Sequence, residues 1–256
     1  MDDRASKTKG LVWALLALGL GMFLAVGVAP LAHAIPLSWE RRLGNALDLG
    51  QGAKACRPSP QAQALLKKLV ARIYPLDASE AAQPMEVAVV QDPAVNAFAG
   101  LGGKITLNSG LLRQASSPEE VAGVLAHEMG HVRHRHVMEG LLVHLFSWEG
   151  LRLIFGGGSA SAGMIQALLR MDFTRGQEAQ ADEAGLRRLQ QAQVDSGGLR
   201  RFFERLQKDQ PDNLLLSDHP DPGDRAKLAA SFPTAHSRPI LTPDEWAVLK
   251  DYGCGN

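Results

Sequence analysis

The stretch from Ser117 to Arg135 constrains this chain more than any other. Ser117-Pro118-Glu119-Glu120 reads as a helix start. Ser117 can cap, Pro118 suits the first helical position because no amide hydrogen is needed there, and Glu120 completes a capping box. Val121, Val124, Leu125 and Val132 then form an apolar stripe. The segment His127-Glu128-Met129-Gly130-His131 therefore falls inside a helix whose start is independently marked. Two imidazoles four residues apart stand on one helix face, about one turn apart. They can reach one ion, and zinc is bound by such nitrogens, usually in tetrahedral geometry. At 3.6 residues per turn, Glu128 lies about 100° from His127 and about 60° from His131. It can approach the open side of the ion without ligating it, which makes it the candidate catalytic base.

Two histidines do not complete a catalytic site, and a third protein ligand is expected. The best source is TRGQEAQADEAG, where Glu178 and Asp182 are again four apart in a helical stretch. One can ligate the ion while the other accepts a hydrogen bond from a ligand histidine and fixes its tautomer. Spacing alone does not say which does which. His134 and His136 stand three and five residues beyond His131. Neither shares the 127/131 spacing, so both are expected at the surface or in polar contacts.

Gln61 to Tyr74 carries apolar residues at helical spacing, including Leu65, Leu66 and Leu69. Residues 85–91, 95–99 and 104–108 read as short strands, the last two separated by Gly100 to Gly103. A helix and a small sheet thus precede the motif. Residues 141–155 read as a half-buried helix, a long helical pattern runs over 164–193, and 199–207 adds an amphipathic turn or two. Thr242-Pro243-Asp244-Glu245 repeats the capping-box logic near the end.

The chain has 256 residues, with 27 basic and 27 acidic side chains. That balance, with few aromatics, gives no nucleic-acid footprint. An uncharged apolar run from Leu11 to Ala32 follows Arg4, Lys7 and Lys9. Its length is close to the roughly 20 residues that span a bilayer. It ends in Ala32-His33-Ala34, which also fits a signal-peptide cleavage site. Residues 1–34 are accordingly expected to be a signal anchor or signal peptide, 35–60 a juxtamembrane connector, and 61–256 the metallopeptidase domain. The two cysteines, Cys56 and Cys254, lie near the start and near the end of that domain. A disulfide between them would imply an oxidising compartment; two unrelated thiols are the alternative.

HEMGH followed by Glu178-Ala179-Gln180-Ala181-Asp182 resembles the two-part signature of the HtpX-like and CaaX-prenyl-endopeptidase family of gluzincin proteases. Residues 96–112 also resemble the strand pair that precedes the zinc helix of that family. The resemblance implies an α+β, mostly helical, zincin-like domain with a small sheet beside the cleft. It implies one Zn2+ per chain held by His127, His131 and Glu178, with Asp182 supporting a ligand. Ser217-Asp218-His219-Pro220, with Arg225 following, resembles a segment of the periplasmic BepA/LoiP-type branch. There His219 would take the fourth position on zinc and hold the enzyme latent, or stabilise the transition state.

The resemblance also implies an envelope location. The domain would sit in the periplasm, tethered to the inner membrane by the N-terminal anchor or released from a cleaved leader, and this setting favours pairing of Cys56 with Cys254. The expected activity is cleavage of unfolded or misfolded envelope proteins. Substrate would lie extended against the edge near Asn96, Ala97, Phe98 and Ala99. The alternative is a chaperone-like binder whose zinc site stays latent under His219.

Overall fold

The computed structural model of the chain describes residues 27–47, 54–81, 83–147, 172–209 and 236–254, with single positions at 18, 19, 21, 228 and 232. Most of the apolar run Leu11–Ala32 therefore lies outside the described residues, as do 148–171 and His219. Among the described residues, no helix is long and apolar enough to cross a membrane.

Two helices, α1 (Val28–Ala34) and α2 (Leu37–Leu47), precede a two-residue strand, β1 (Lys54–Ala55). Then come α3 (Pro60–Ile73), the short α4 (Ala78–Ala81), β2 (Glu86–Gln91), β3 (Ala97–Ala99), a 3-10 turn (Leu101–Gly103) and β4 (Lys104–Asn108). They are followed by α5 (Ser109–Gln114), α6 (Pro118–His134) and α7 (His136–Leu145). The remaining described helices are α8 (Arg175–Gln191), α9 (Gly197–Asp209) and α10 (Pro243–Lys250). The architecture is α+β and mostly helical, as expected from the sequence.

The four strands form one sheet in the order β1-β2-β4-β3. β2 and β4 run parallel, with Val87 opposite Ile105 and Val89 opposite Leu107. β3 pairs antiparallel with β4 and forms an edge of the sheet. Its neighbour in space is α6. The main core joins the helices to the sheet through Leu69, Ile73, Leu107, Leu125, Met129 and Phe202, all fully buried. Burying one such side chain contributes about 1.5–3 kcal/mol. A smaller cluster of Ala32, Leu47, Leu101, Val137 and Leu141 seals α1 and α2 onto α7 and the 3-10 turn.

Four local features differ from expectation. The stretch expected as a connector contains α2, whose Glu40 is buried. Its Gly44 lies so close to the 3-10 turn that a Cβ would stand 2.5 Å from the Leu101 carbonyl oxygen. The start of α6 is not closed by a capping box, because Ser117 makes no side-chain cap. The Glu120 carboxylate instead accepts from the Ser116 amide at 2.7 Å and from Arg205 at 2.6 and 2.8 Å. The cation on α9 outbids the cap. Within the stretch 164–193 expected as helical, residues 164–171 lie outside the described residues, 172–174 are not helical, and α8 begins with a capping box between Thr174 and Gln177. The expected amphipathic turn at 199–207 is the full helix α9.

α6 and α7 are separated by one residue. Arg135 adopts a left-handed conformation, φ 59°, which a side chain larger than glycine seldom takes. Its guanidinium is held by Glu40 of α2, with Nε at 2.9 Å and Nη2 at 2.5 Å from Oε2, and Nη1 donates to the Ile35 carbonyl at 2.6 Å. The other Glu40 oxygen accepts from the Gly102 amide at 3.0 Å. This buried, fully bonded pair fixes the kink.

Candidate metal centre

α6 and α8 cross at contact distance because small residues face each other there. A Cβ on Gly130 would lie 2.6 Å from the Ala181 carbonyl oxygen, and one on Gly185 would lie 2.9 Å from the Ala126 backbone. The close crossing brings Glu178 and Asp182 of α8 onto the two histidines of α6. His127 Nε2 and His131 Nε2 are 3.0 Å apart. Glu178 Oε1 is 3.3 Å from His131 Nε2, and its Oε2 is 3.6 Å from His127 Nε2. All three side chains are buried.

These distances suit a shared ion. Tetrahedral ligands at about 2.0–2.1 Å from zinc are separated by about 3.3 Å from one another, and the observed edges bracket that figure. Two imidazole nitrogens and a carboxylate converging in a buried pocket also bring negative ends of dipoles together. A divalent cation is the counter-charge such a donor set fits, and His127, His131 and Glu178 can hold one.

A second layer of contacts orients the rings. His127 Nδ1 donates to Asp182 Oδ1 at 2.7 Å, which leaves Nε2 with its lone pair toward the centre. His131 Nδ1 lies 3.0 Å from His136 Nδ1, and His136 Nε2 lies 3.0 Å from Gln180 Oε1. The Phe173 ring stacks on His131 with centroids 3.9 Å apart. Of the two expectations for His136, surface or polar contacts, the second holds: the residue is buried and its Nδ1 stands beside His131. Burial lowers its pKa, partly opposed by the Gln180 bond and Glu139. His134, stacked on His136, is half-buried, and its pKa is lowered by burial and then by Arg133.

The sequence signal that hid His136 is geometric. On one continuous helix, five residues beyond His131 turn it about 140° away. The left-handed residue Arg135 breaks the helix and swings His136 back under His131. No residue pattern announces that break, since glycine is the usual occupant of such a position. The Arg188–Glu80 pair at the other end of α8 and the Arg135–Glu40 pair were likewise missed. Their partners are 108 and 95 residues apart, beyond the reach of local periodicity.

The other expected site residues fall as follows. Glu128 is fully buried within α6, between the two histidines. Asn96 precedes β3, and Ala97, Phe98 and Ala99 form it; Ala97 and Ala99 are buried. Cys56 and Cys254 are joined by a disulfide.

The profile of peptidase family M48 matches residues 60–231. Among curated proteins, the chain is 39% identical over 150 residues to "Mitochondrial metalloendopeptidase OMA1" of Arabidopsis thaliana, covering 57% of this chain and 31% of that protein. It is 32% identical over 172 residues to "Putative beta-barrel assembly-enhancing protease" of Vibrio cholerae, covering 58% and 34%. It is 30% identical over 156 residues to "Metalloprotease LoiP" of Escherichia coli, covering 57% and 61%. The matched region thus spans about a third of the first two relatives.

Proposed function

The chain belongs to peptidase family M48, and from that premise we propose that it is a zinc-dependent endopeptidase of unfolded or misfolded cell-envelope proteins. The observation that carries the proposal is the convergence of His127, His131 and Glu178. The names of its relatives, metalloendopeptidase and beta-barrel assembly-enhancing protease, support both the reaction class and the setting. The disulfide suits an oxidising compartment, and the apolar run Leu11–Ala32 suits delivery to, or anchoring in, the inner membrane.

In this reading His127, His131 and Glu178 hold one zinc ion. When bound, zinc supplies Lewis acidity that polarises a scissile carbonyl and acidifies water. Glu128 takes the proton of the attacking water on its carboxylate and delivers it to the leaving amine nitrogen. Asp182 holds His127 with Nε2 facing the ion. The substrate backbone lies along the Asn96–Ala99 edge, where main-chain pairing tolerates many sequences. The resemblance of the Ser217–Pro220 segment to the BepA/LoiP-type branch supports a role for His219 as a fourth ligand that holds the enzyme latent, or as a stabiliser of the transition state.

Glu128→Gln separates binding from chemistry. The purified variant is expected to keep its zinc and to digest denatured casein about 10²–10⁴-fold more slowly than wild type. Undiminished digestion by the variant, or a wild-type protein that neither binds zinc nor cuts, would sink the assignment.

A further inference from the structure

We propose that His136 and Gln180 are positioning residues that set the tautomer of His131 and so present its Nε2 lone pair to the metal. The inference rests on the zinc reading of the site and adds a second, separate mechanism of ligand orientation to it. His127 is oriented by a carboxylate, Asp182. The Nδ1 of His131 has another imidazole beside it, that of His136, at 3.0 Å. Two nitrogens at that distance need one hydrogen between them, and which ring supplies it is decided further out.

Gln180 decides it. Its Oε1 lies 3.0 Å from His136 Nε2, and a carbonyl oxygen only accepts. His136 Nε2 therefore carries the hydrogen. A neutral imidazole has one N–H, so His136 Nδ1 is the acceptor. His131 Nδ1 must then donate to it, and His131 Nε2 is left bare. The opposite orientation of the Gln180 amide would reverse every proton along the chain. It would place a hydrogen on His131 Nε2, aimed into the space shared with His127 Nε2 and Glu178.

The fold is arranged to make this relay possible. The left-handed Arg135 returns His136 beneath His131, and Phe173 stacks on the His131 ring and limits its rotation. Gln180 stands on α8 between Glu178 and Asp182, so one helix supplies a ligand and the outer end of both orienting systems. The His136 and Gln180 contacts orient a ligand without themselves adding a carboxylate beside Glu178 and Asp182.

The test uses the full chain and two readouts. One is zinc affinity, by competition with a chromophoric chelator. The other is the 15N signature of the His131 imidazole in metal-free protein, which reports the tautomer. Gln180 is exposed, so its replacement leaves the fold intact. Gln180→Glu, which can only accept, is expected to hold zinc close to wild type. Gln180→Lys, which can only donate, should weaken it about 10–100-fold. His136→Phe should weaken it similarly, while His136→Asn, which keeps an acceptor near the Nδ1 position, should recover most of the loss. Metal-free wild type should show the hydrogen on His131 Nδ1. Equal affinities for Gln180→Glu and Gln180→Lys, or a hydrogen on Nε2, would overturn the relay. Absence of zinc binding in wild type would instead overturn the metal reading, and the nitrogen signature would still decide the relay.

Discussion

Arg188 and Glu80 meet near the C-terminal end of the helix that carries Glu178 and Asp182. Arg188 Nη1 donates to the Ile73 carbonyl and to Glu80 Oε2, both at 2.9 Å, while Nη2 reaches Glu80 Oε1 at 2.5 Å. The guanidinium also lies over the Tyr74 ring, 5.3 Å from its centroid. Burial alone would push the Glu80 carboxyl up, but the Arg188 bonds and the Leu76 amide outweigh it, and its pKa falls below the ordinary 4.5. A lowered folded-state pKa means the pair stabilises fully above about pH 4.5 and is lost as pH drops through the folded value. Glu80→Ala leaves Arg188 buried without its counter-charge. It is expected to destabilise by about 3 kcal/mol at pH 7, with a smaller difference from wild type below pH 4, as measured by urea unfolding across pH. A constant difference down to pH 3 would show that the carboxylate charge is not what stabilises.

At the scale of elements, the site depends on how closely α6 and α8 cross. Gly130→Val would force side-chain carbon against the Ala181 backbone. The expected destabilisation is about 1–3 kcal/mol, with zinc affinity falling as the crossing opens; calorimetric melting and chelator competition would read both. A variant that melts like wild type and binds zinc equally well would show the crossing to be slack. Much at this scale was legible in the sequence. The helical pattern from Gln61 to Tyr74 is α3, the strand pair flanking the glycines is present, and Thr242 with Glu245 forms the cap of α10. These features are local, and chain chemistry within a few residues determines them. His127 and His131 were legible for a different reason, since helical spacing projects both onto one face, whereas only the family resemblance singled out Glu178 over Asp182. What stayed hidden was non-local. Glu120 leaves its expected cap for Arg205, 85 residues on, and α2 is seated by Arg135 and the 3-10 turn rather than by its own pattern.

On the scale of the whole molecule, the Cys56–Cys254 bridge closes a span of 198 residues. Beside it the Arg57 amide donates to the Gly253 carbonyl at 3.0 Å, and Lys68 of α3 pairs with Glu245 of α10 at 2.6 Å. The exposed Lys68 pair contributes little; the covalent closure dominates. Replacing both cysteines by serine is expected to reduce stability by about 2–5 kcal/mol, read by denaturant unfolding, and to leave zinc affinity of the folded protein unchanged. Loss of zinc binding at temperatures where the variant is still folded would mean the bridge also shapes the site.

The Glu40–Arg135 pair sets a limit on where the protein can be shortened. The family match begins at residue 60, and a chain trimmed there would keep every proposed ligand. It would nevertheless strand a guanidinium that is only 7% exposed, four residues beyond His131, with neither its carboxylate nor the Ile35 carbonyl to receive it. Such a minimal domain, which also loses Cys56 and its bridge to Cys254, is expected to melt lower and to bind zinc more weakly than the full chain, and Arg135→Gly in the trimmed protein should restore part of both. The boundary that sequence similarity draws around this enzyme fold is therefore narrower than the one its electrostatics require.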